Sequence, residues 1–423
     1  MKPTSKKTPL HGWHLSQGAS MADFGGYEMP LWYVSAKNEH LAVLTHAGLF
    51  DTSHMAVITV EGTDAHGLLQ HCFTNNLDAC IGKNRTPLTA GRCVYGAFLN
   101  ENGGVIDDSI VFKLADEQYI VVVNAGMGAE ITSHLRDQQG HHAATVTDMT
   151  DRLGKIDIQG PLAAKILANV LVDAEKVFGA MAYFSFKGHY DDSSSLAEAV
   201  RLTNGTAVLL SRTGYTGEFG FELYMAAGQT AAAWEAIVDA GRPQGLSVCG
   251  LAARDSLRGG AVLPLSHQDI GHWPFIHNPW PFALPLAADG KRFTKSFIGD
   301  LALMAVENPE FTLAFAGADL RKVSTEGPAE VLDMDGKPIG KVLTCVTDMG
   351  IGIVNGKIYS ISSPEKPYGF KPRGLCCGFI LVKNKLKTGD QVQLKDHRRT
   401  ITVTIVDDIR PDRTARRSMR EMI

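Results

Sequence analysis

The chain has 423 residues, 44% of them hydrophobic, and a formal net charge of −4. That balance suits two or three domains with real cores, excludes a disordered or fibrous chain, and argues against nucleic acid as the main partner. No run reaches the length of a membrane span, the basic start MKPTSKKTPLHGWH lacks the apolar stretch of a signal peptide, and seven scattered cysteines without a CxxC fit a reduced, cytoplasmic setting.

In chain order, Ser35 reads as the N-cap of a helix, AKNEHLAVLTHAG, ending at Gly48. A strand AVITVEG follows, then a helix from Thr63 to Cys72. CVYGAFL and GGVIDDSIVF, joined by the turn Asn100 to Gly104, predict a hairpin. Next come a strand QYIVVVN, a helix from Ala125 to Gly140, a strand GKIDIQG, and a helix PLAAKILANVL with Pro161 in its first turn. AVLLSRTG and FGFELYM are strands around the turn Tyr215 to Glu218, followed by helices at AAAWEAIVDAG and LAARDSLR. Short antiparallel turns in this order predict an α+β arrangement, not a doubly wound sheet. From about Glu310 the texture changes to short alternating runs (FTLAFAG, AEVLD, KVLTCVTD, KIYSISS, CGFILVK, QVQLKD, ITVTIVDD), which predict a small β-barrel or sandwich before a basic tail.

Two acids interrupt the second hairpin strand. Alternation places Asp108 on the apolar row of Ile106, Ile110 and Phe112, and Asp107 on the more polar side with Ser109 and Val111. A carboxylate in an apolar row is costly unless something pairs with it or the row borders a cavity. Two readings stand: a buried Asp accepting backbone hydrogen bonds, or an acid lining a site.

There is no P-loop, GxSxG elbow or HExxH. GIGIVNG at 350–356, among strands with no following helix, reads as a turn. His267, His272 and His277 recur every five residues, but without cysteines or acids in register they do not suggest a metal site. The same segment holds Trp273, Phe275, Trp280 and Phe282 among prolines, and reads either as a rigid packing loop or as the aromatic wall of a pocket. In SRTGYTGEFGFELY, Glu222 shares a strand face with Gly220 and Tyr224; a surface Glu is the plain reading, and the GlyTyrThrGly turn could approach a ligand closely. Arg254, Asp255 and Arg258 on LAARDSLR read as a solvated charge cluster, with an anion-binding Arg as the alternative.

FGGYEMPLWY, FDTSHM, GGVIDDSIV, VVNAG, IDIQGP, YFSF, SRTGYTGEFGFELY and GLAARDSLR occur in an order and spacing that resemble the aminomethyltransferase family: the T-protein of the glycine cleavage system and its folate-dependent relatives. The similarity is dense from about residue 8 to 265. It implies a three-lobed, cloverleaf-like α+β fold around a central folate channel, with residues 1–50 and 149–261 in a first folate-binding lobe, 51–148 and 262–300 in a second lobe carrying the catalytic acid, and 301–423 in a C-terminal β-barrel-like domain. By the same resemblance Asp108 is the catalytic carboxylate, and Glu222 recognises the aminopyrimidine edge of the pterin, where its two acceptors meet adjacent N–H donors. Met55, Tyr95, Tyr183, Tyr215 and Arg254 match positions lining the folate site. The implied reaction moves a one-carbon unit from the aminomethyl-lipoyl arm of the H-protein to tetrahydrofolate with release of ammonia.

Several positions depart from the family pattern. Gly260 stands where a Glu is usual, Ser266 and His267 replace a Tyr-Gly pair, Phe112 and Phe184 replace tyrosines, and Ala56 replaces a glycine. The aromatic loop replaces a more polar, acidic segment. Such changes gather around the one-carbon donor, so a second expectation is a tetrahydrofolate-dependent demethylase acting on a small methylated amine, ether or sulfonium compound. A third is a folate-binding protein without transferase activity, against which the retained Asp108 speaks.

Overall fold

Three β systems organise the protein, a computed structural model that describes residues 5–423; the first four residues of the basic N-terminal run lie outside the described residues. A six-stranded sheet has the order Phe186–Lys187, Leu209–Ser211, Gly220–Ala226, Leu153–Gln159, Ala47–Asp51, Leu246–Val248. A five-stranded sheet has the order Arg92–Leu99, Val105–Ala115, Gln118–Val123, Ala56–Glu61, Thr145–Asp148. Six strands between Phe311 and Ile405 close into a barrel. Helices packed on the sheets complete an α+β fold with a C-terminal barrel, as the sequence led us to expect. Ala47–Asp51 and Ala56–Glu61 lie in different sheets although only four residues separate them, and Leu153–Gln159 returns to the first.

The first predicted helix starts where expected, with Ser35 Oγ accepting from Asn38 N at 3.2 Å, but it spans Ala36–Thr45. Its expected tail is instead the buried strand Ala47–Asp51, which pairs with Leu153–Gln159 on one side and runs parallel to Leu246–Val248 on the other. Two-sided pairing in the sheet outweighs local helix preference there. GIGIVNG is also more than a turn. Ile351–Val354 pairs with Lys357–Ser360, and Asn355 and Gly356, with φ of 52° and 78°, make the tight hairpin turn between them.

The hairpin with the two acids forms, but its alternation is broken. Ala97 pairs with Asp108 and Phe98 with Asp107, yet Leu99 pairs with Val105, so Ile106 is an inserted residue: a β-bulge. Ile106 therefore packs with Val94, Phe98 and Val111, not with Ile110 and Phe112 as alternation placed it. From Asp107 onward the ladder is regular, so the bulge breaks the alternation between Ile106 and the two acids and leaves Asp108 in line with Ile110 and Phe112.

Residues 262–299 fasten this strand to the barrel. Val105 N donates to Gly271 O at 2.6 Å, and Phe275 N donates to Gly103 O at 2.9 Å. Phe275 and Trp280 are buried in the core beside Phe379, and Trp280 Nε1 donates to Val262 O at 2.8 Å. The basic tail also returns to the body. Arg410 is buried between Asp348 and Glu218, and Arg212 donates to Ala415 O and Arg417 O at 3.0 and 3.1 Å. The glycine at 260 has a reason here, because a Cβ on it would come within 1.8 Å of Asp348 Oδ2.

Candidate active site

Asp107 and Asp108 converge on one amide. Asn124 Nδ2 donates to Asp107 Oδ1 at 2.8 Å and to Asp108 Oδ1 at 2.6 Å, and Asn124 N donates to Asp107 Oδ2 at 2.8 Å. Tyr95 OH donates to Asp108 Oδ2 at 2.8 Å, and Ser266 Oγ to Asp107 Oδ1 at 2.6 Å. The expectation that Asp107 points away into polar surroundings is thus corrected. Its residue is fully buried, whereas Asp108 is half-buried. Among the described residues neither acid has a Lys or Arg partner, and the nearest cationic candidate is His267, with Nε2 at 3.8 Å from Asp107 Oδ1. Burial, then the neighbouring Asp108 charge, pushes the Asp107 carboxyl up to about 7. Burial also raises Asp108, against the hydrogen bonds from Tyr95 and Asn124.

Glu222 has the opposite surroundings. It is 5% exposed, not a surface residue, and its Oε1 accepts from Lys155 Nζ at 2.7 Å. Oε2 accepts from Thr213 Oγ1 at 2.5 Å and Tyr224 OH at 3.3 Å. Lys155 also donates to Asp157 Oδ1 at 2.5 Å, and Asp157 Oδ2 accepts from Arg254 Nη1 at 2.9 Å. The result is a closed cluster of two acids and two bases, brought together because the strand Leu153–Gln159 pairs Asp157 directly with Glu222. Burial raises the Asp157 carboxyl, but Lys155 and Arg254 outweigh it and hold the group below its usual value. Beside this cluster, burial and the Arg254 charge push buried His54 down to about 4.

The remaining positions fall around these clusters. Arg254 lies over the Tyr215 ring at 4.8 Å and reaches Met55 Sδ at 3.9 Å. Tyr215 OH donates to Pro264 O, which ties the Tyr215 turn to the loop bearing Ser266. Tyr183 sits apart from both acids, half-buried under Arg416 at 5.3 Å. Phe282, 55% exposed, lies 5.7 Å from the Tyr95 ring. The aromatic loop therefore divides: Phe275 and Trp280 pack in the core, and Phe282 faces Tyr95. Arg254 and Arg258 are not a solvated cluster, since Arg258 is fully buried and pairs with Asp255 and Asp269.

Sequence reasoning passed over Lys155, Asp157 and Asn124, and it noted Ser266 only as a departure from the family pattern, not as a partner of Asp107. A signal existed for the first two: GKIDIQG puts two opposite charges two residues apart, on one face of an apolar strand. VVNAG contained Asn124, but nothing local says which acids it bridges. His267 and His272 have ring centroids 6.2 Å apart, and His277 lies against Phe311 at 5.0 Å. Among the described residues, no group of three His, Cys, Asp or Glu side chains is placed to hold a metal.

Residues 10–273 match the GCVT N-terminal domain family. The chain is 36% identical over 347 residues to an aminomethyltransferase of Symbiobacterium thermophilum, covering 81% of this chain and 86% of that protein. It is 35% identical over 339 residues to an aminomethyltransferase of Lysinibacillus sphaericus, covering 80% and 85%. Its fold is similar to a crystal structure of the glycine cleavage system aminomethyltransferase T from Bartonella henselae, with a TM-score of 0.74 and 24% identity over 98% of this chain and 99% of that one. The protein is an enzyme of the one-carbon transferase class. It belongs to the aminomethyltransferase family.

Proposed function

We propose that the chain is the tetrahydrofolate-dependent aminomethyltransferase of glycine cleavage, acting on the aminomethylated lipoyl arm of an H-protein and releasing ammonia. What carries the reading is the pair Asp107 and Asp108, bridged by the Asn124 amide and without a Lys or Arg counter-charge among the described residues, in a chain of this family. Half-buried Met55, Tyr95 and Tyr215, with exposed Phe282, offer flat apolar surface suited to a pterin and a benzoyl ring. Glu222 already accepts three hydrogen bonds, and Oε1 has spare acceptor capacity for a ligand N–H. Arg254, anchored by Asp157, would orient the ligand from the Met55 side. Tetrahydrofolate, when bound, supplies the nucleophilic nitrogens that accept the carbon. Asp108, held by Tyr95 and Asn124, stabilises positive charge developing beside it, and preorganised hydrogen bonds make that stabilisation strong. The free cysteines fit a cytoplasmic location.

The demethylase reading has one specific observation in its favour. Ser266, at a position that departs from the family pattern, bonds directly to Asp107, so the acid's surroundings on that side are not those usual in the family. Single turnover with saturating tetrahydrofolate separates the two. An aminomethylated lipoyl carrier should yield methylenetetrahydrofolate. Methyltetrahydrofolate from a small methylated donor, with no reaction of the carrier, would replace the first reading by the second.

A further inference from the structure

His267 is an unusual residue to find where it is. Its φ is +61°, a left-handed conformation that costs a non-glycine side chain stability, and the family resemblance puts a glycine there. Its side chain is 42% exposed, while the Asp107 carboxylate 3.8 Å away is fully buried. Ser266, the preceding residue, bonds the same Asp107 oxygen at 2.6 Å. One turn of loop thus delivers both a fixed hydrogen bond and a titratable ring to the buried acid. The loop is held there by Val105 N to Gly271 O and by Phe275 N to Gly103 O.

We propose that His267 is the proton port of the acid pair: it exchanges protons with solvent and, through Asp107, sets the charge that Asp108 works beside. The inference rests on the one-carbon transfer reading. In that reaction the acceptor nitrogens lose protons as C–N bonds form, and the sulfur and the amine gain them as C–S and C–N bonds break, so protons balance without an added acid. In the demethylase reading the acceptor nitrogen loses one proton as its bond to the methyl carbon forms. That proton passes to the heteroatom of an amine or ether donor as that C–N or C–O bond breaks, and leaves to solvent when the donor is a sulfonium, whose departing thioether is neutral. Both need a group beside the acids that can hold a proton briefly, and an imidazole does so near neutral pH. His267 touches no reacting atom in this scheme; it acts through Asp107. The other ionisable groups facing the pair are Asp108 on the same strand, Tyr95 on its hairpin partner, Tyr215 across the site, His272 in the same loop, and the buried ion pair Arg258–Asp269. Arg258 and Asp269 neutralise each other, and His267, with Nε2 3.8 Å from Asp107 Oδ1, is the basic side chain nearest to Asp107 among the described residues.

The test uses the full chain with His267→Gly, which relieves the positive φ, and His267→Asn, which tolerates it. In ligand-free protein, carboxyl NMR with labelled aspartate should show the Asp107 titration moving up by about one pH unit in both variants, because a nearby positive charge is lost. In single turnover both should lose about 10²-fold in rate, with the pH profile displaced in the same sense, and added imidazole should restore part of the rate of the glycine variant. An unchanged carboxyl titration, or a wild-type rate and pH profile in both variants, would overturn the proposal. If the wild type itself transfers carbon from neither donor, the functional reading fails instead, and the carboxyl titration still decides whether His267 controls the pair.

Discussion

Two pairs of carboxylates sit in this site, and the protein treats them in opposite ways. Asp157 and Glu222 share Lys155, with Arg254 closing the other side, so each buried negative charge meets a positive one within 3 Å. Asp107 and Asp108 share only the neutral amide of Asn124. Compensated charge is stable and chemically quiet. Uncompensated charge binds protons more tightly, so burial and the Asp108 charge push the Asp107 carboxyl up to about 7, while Lys155 and Arg254 overcome burial and hold Asp157 below its usual value. The first pair is built to hold something in place, and the second to respond to charge that appears during reaction.

The largest effect should come from the uncompensated pair. Asp108→Asn keeps the shape and removes the charge, so turnover should fall about 10²–10³-fold, with folate binding and the melting temperature nearly unchanged. Asp107→Asn is not the near-silent control that strand alternation suggests. It removes the like charge beside Asp108, so it should lower turnover by about tenfold and shift the acidic limb of the pH profile downward. A normal Asp108 variant beside a dead Asp107 variant would reverse the two assignments.

Breaking the compensated cluster should instead show in stability. Lys155→Met strands two buried carboxylates with only Arg254 between them, and losing one member of such a set costs about 3–5 kcal/mol. Urea denaturation would read this as a lower midpoint. The double variant Lys155→Met, Glu222→Gln should recover much of that loss while still binding folate poorly. Recovery of folate affinity together with stability would show that Glu222 holds only Lys155 and not the ligand.

The sequence made the uncompensated pair easy to find and the compensated one hard. Asp107 and Asp108 stand side by side in an apolar strand, and a short-range pattern exposes them. The bulge at Ile106 was hidden, because alternation assumes a perfect ladder and nothing local marks the inserted residue. Glu222 was visible, but its partner Lys155 is 67 positions away, and Arg254 is 97 positions from Asp157. Such pairings are set by which strands lie next to each other, so they become readable only once the sheet order is known. The C-terminal strands were legible through their alternation and their turns, while their closure into a barrel depends on pairing Phe311–Gly317 with both Leu375–Val382 and Thr400–Ile405.

His54 tests how far the compensated cluster's field extends. Its imidazole is buried against Arg254, and its pKa falls from 6.5 to about 4. Between those values the unfolded chain takes up a proton that the folded chain does not, so this residue makes stability fall as pH drops from about 6.5 to 4, by about 3 kcal/mol at most. Asp107 contributes the reverse slope over an overlapping range, because its raised value makes stability fall as pH rises towards 7. Total stability against pH therefore blends the two. Subtracting the curve of His54→Gln from that of the wild type isolates the first, and Asp107→Asn isolates the second. Parallel curves for wild type and His54→Gln would mean that His54 is charged in the folded protein and that the cluster does not reach it.

The smallest effect concerns the division of the aromatic loop. Trp280 is fully buried against Phe379, and Phe282, two residues on, is 55% exposed beside Tyr95. Trp280→Ala should cost about 3–5 kcal/mol of stability, and any loss of turnover would follow from unfolding. Phe282→Ala leaves the core intact, so its stability should stay within about 0.5 kcal/mol of wild type. What it removes is a ring that, with Tyr95, would cover one face of a flat ligand; an aromatic contact of this kind is worth about 1 kcal/mol. Calorimetric titration with tetrahydrofolate should therefore show about fivefold weaker binding with an unchanged melting temperature. Unaltered affinity would place Phe282 outside the ligand's reach and leave the loop with packing as its whole task, and a large drop in melting temperature would mean that the exposed ring supports the fold.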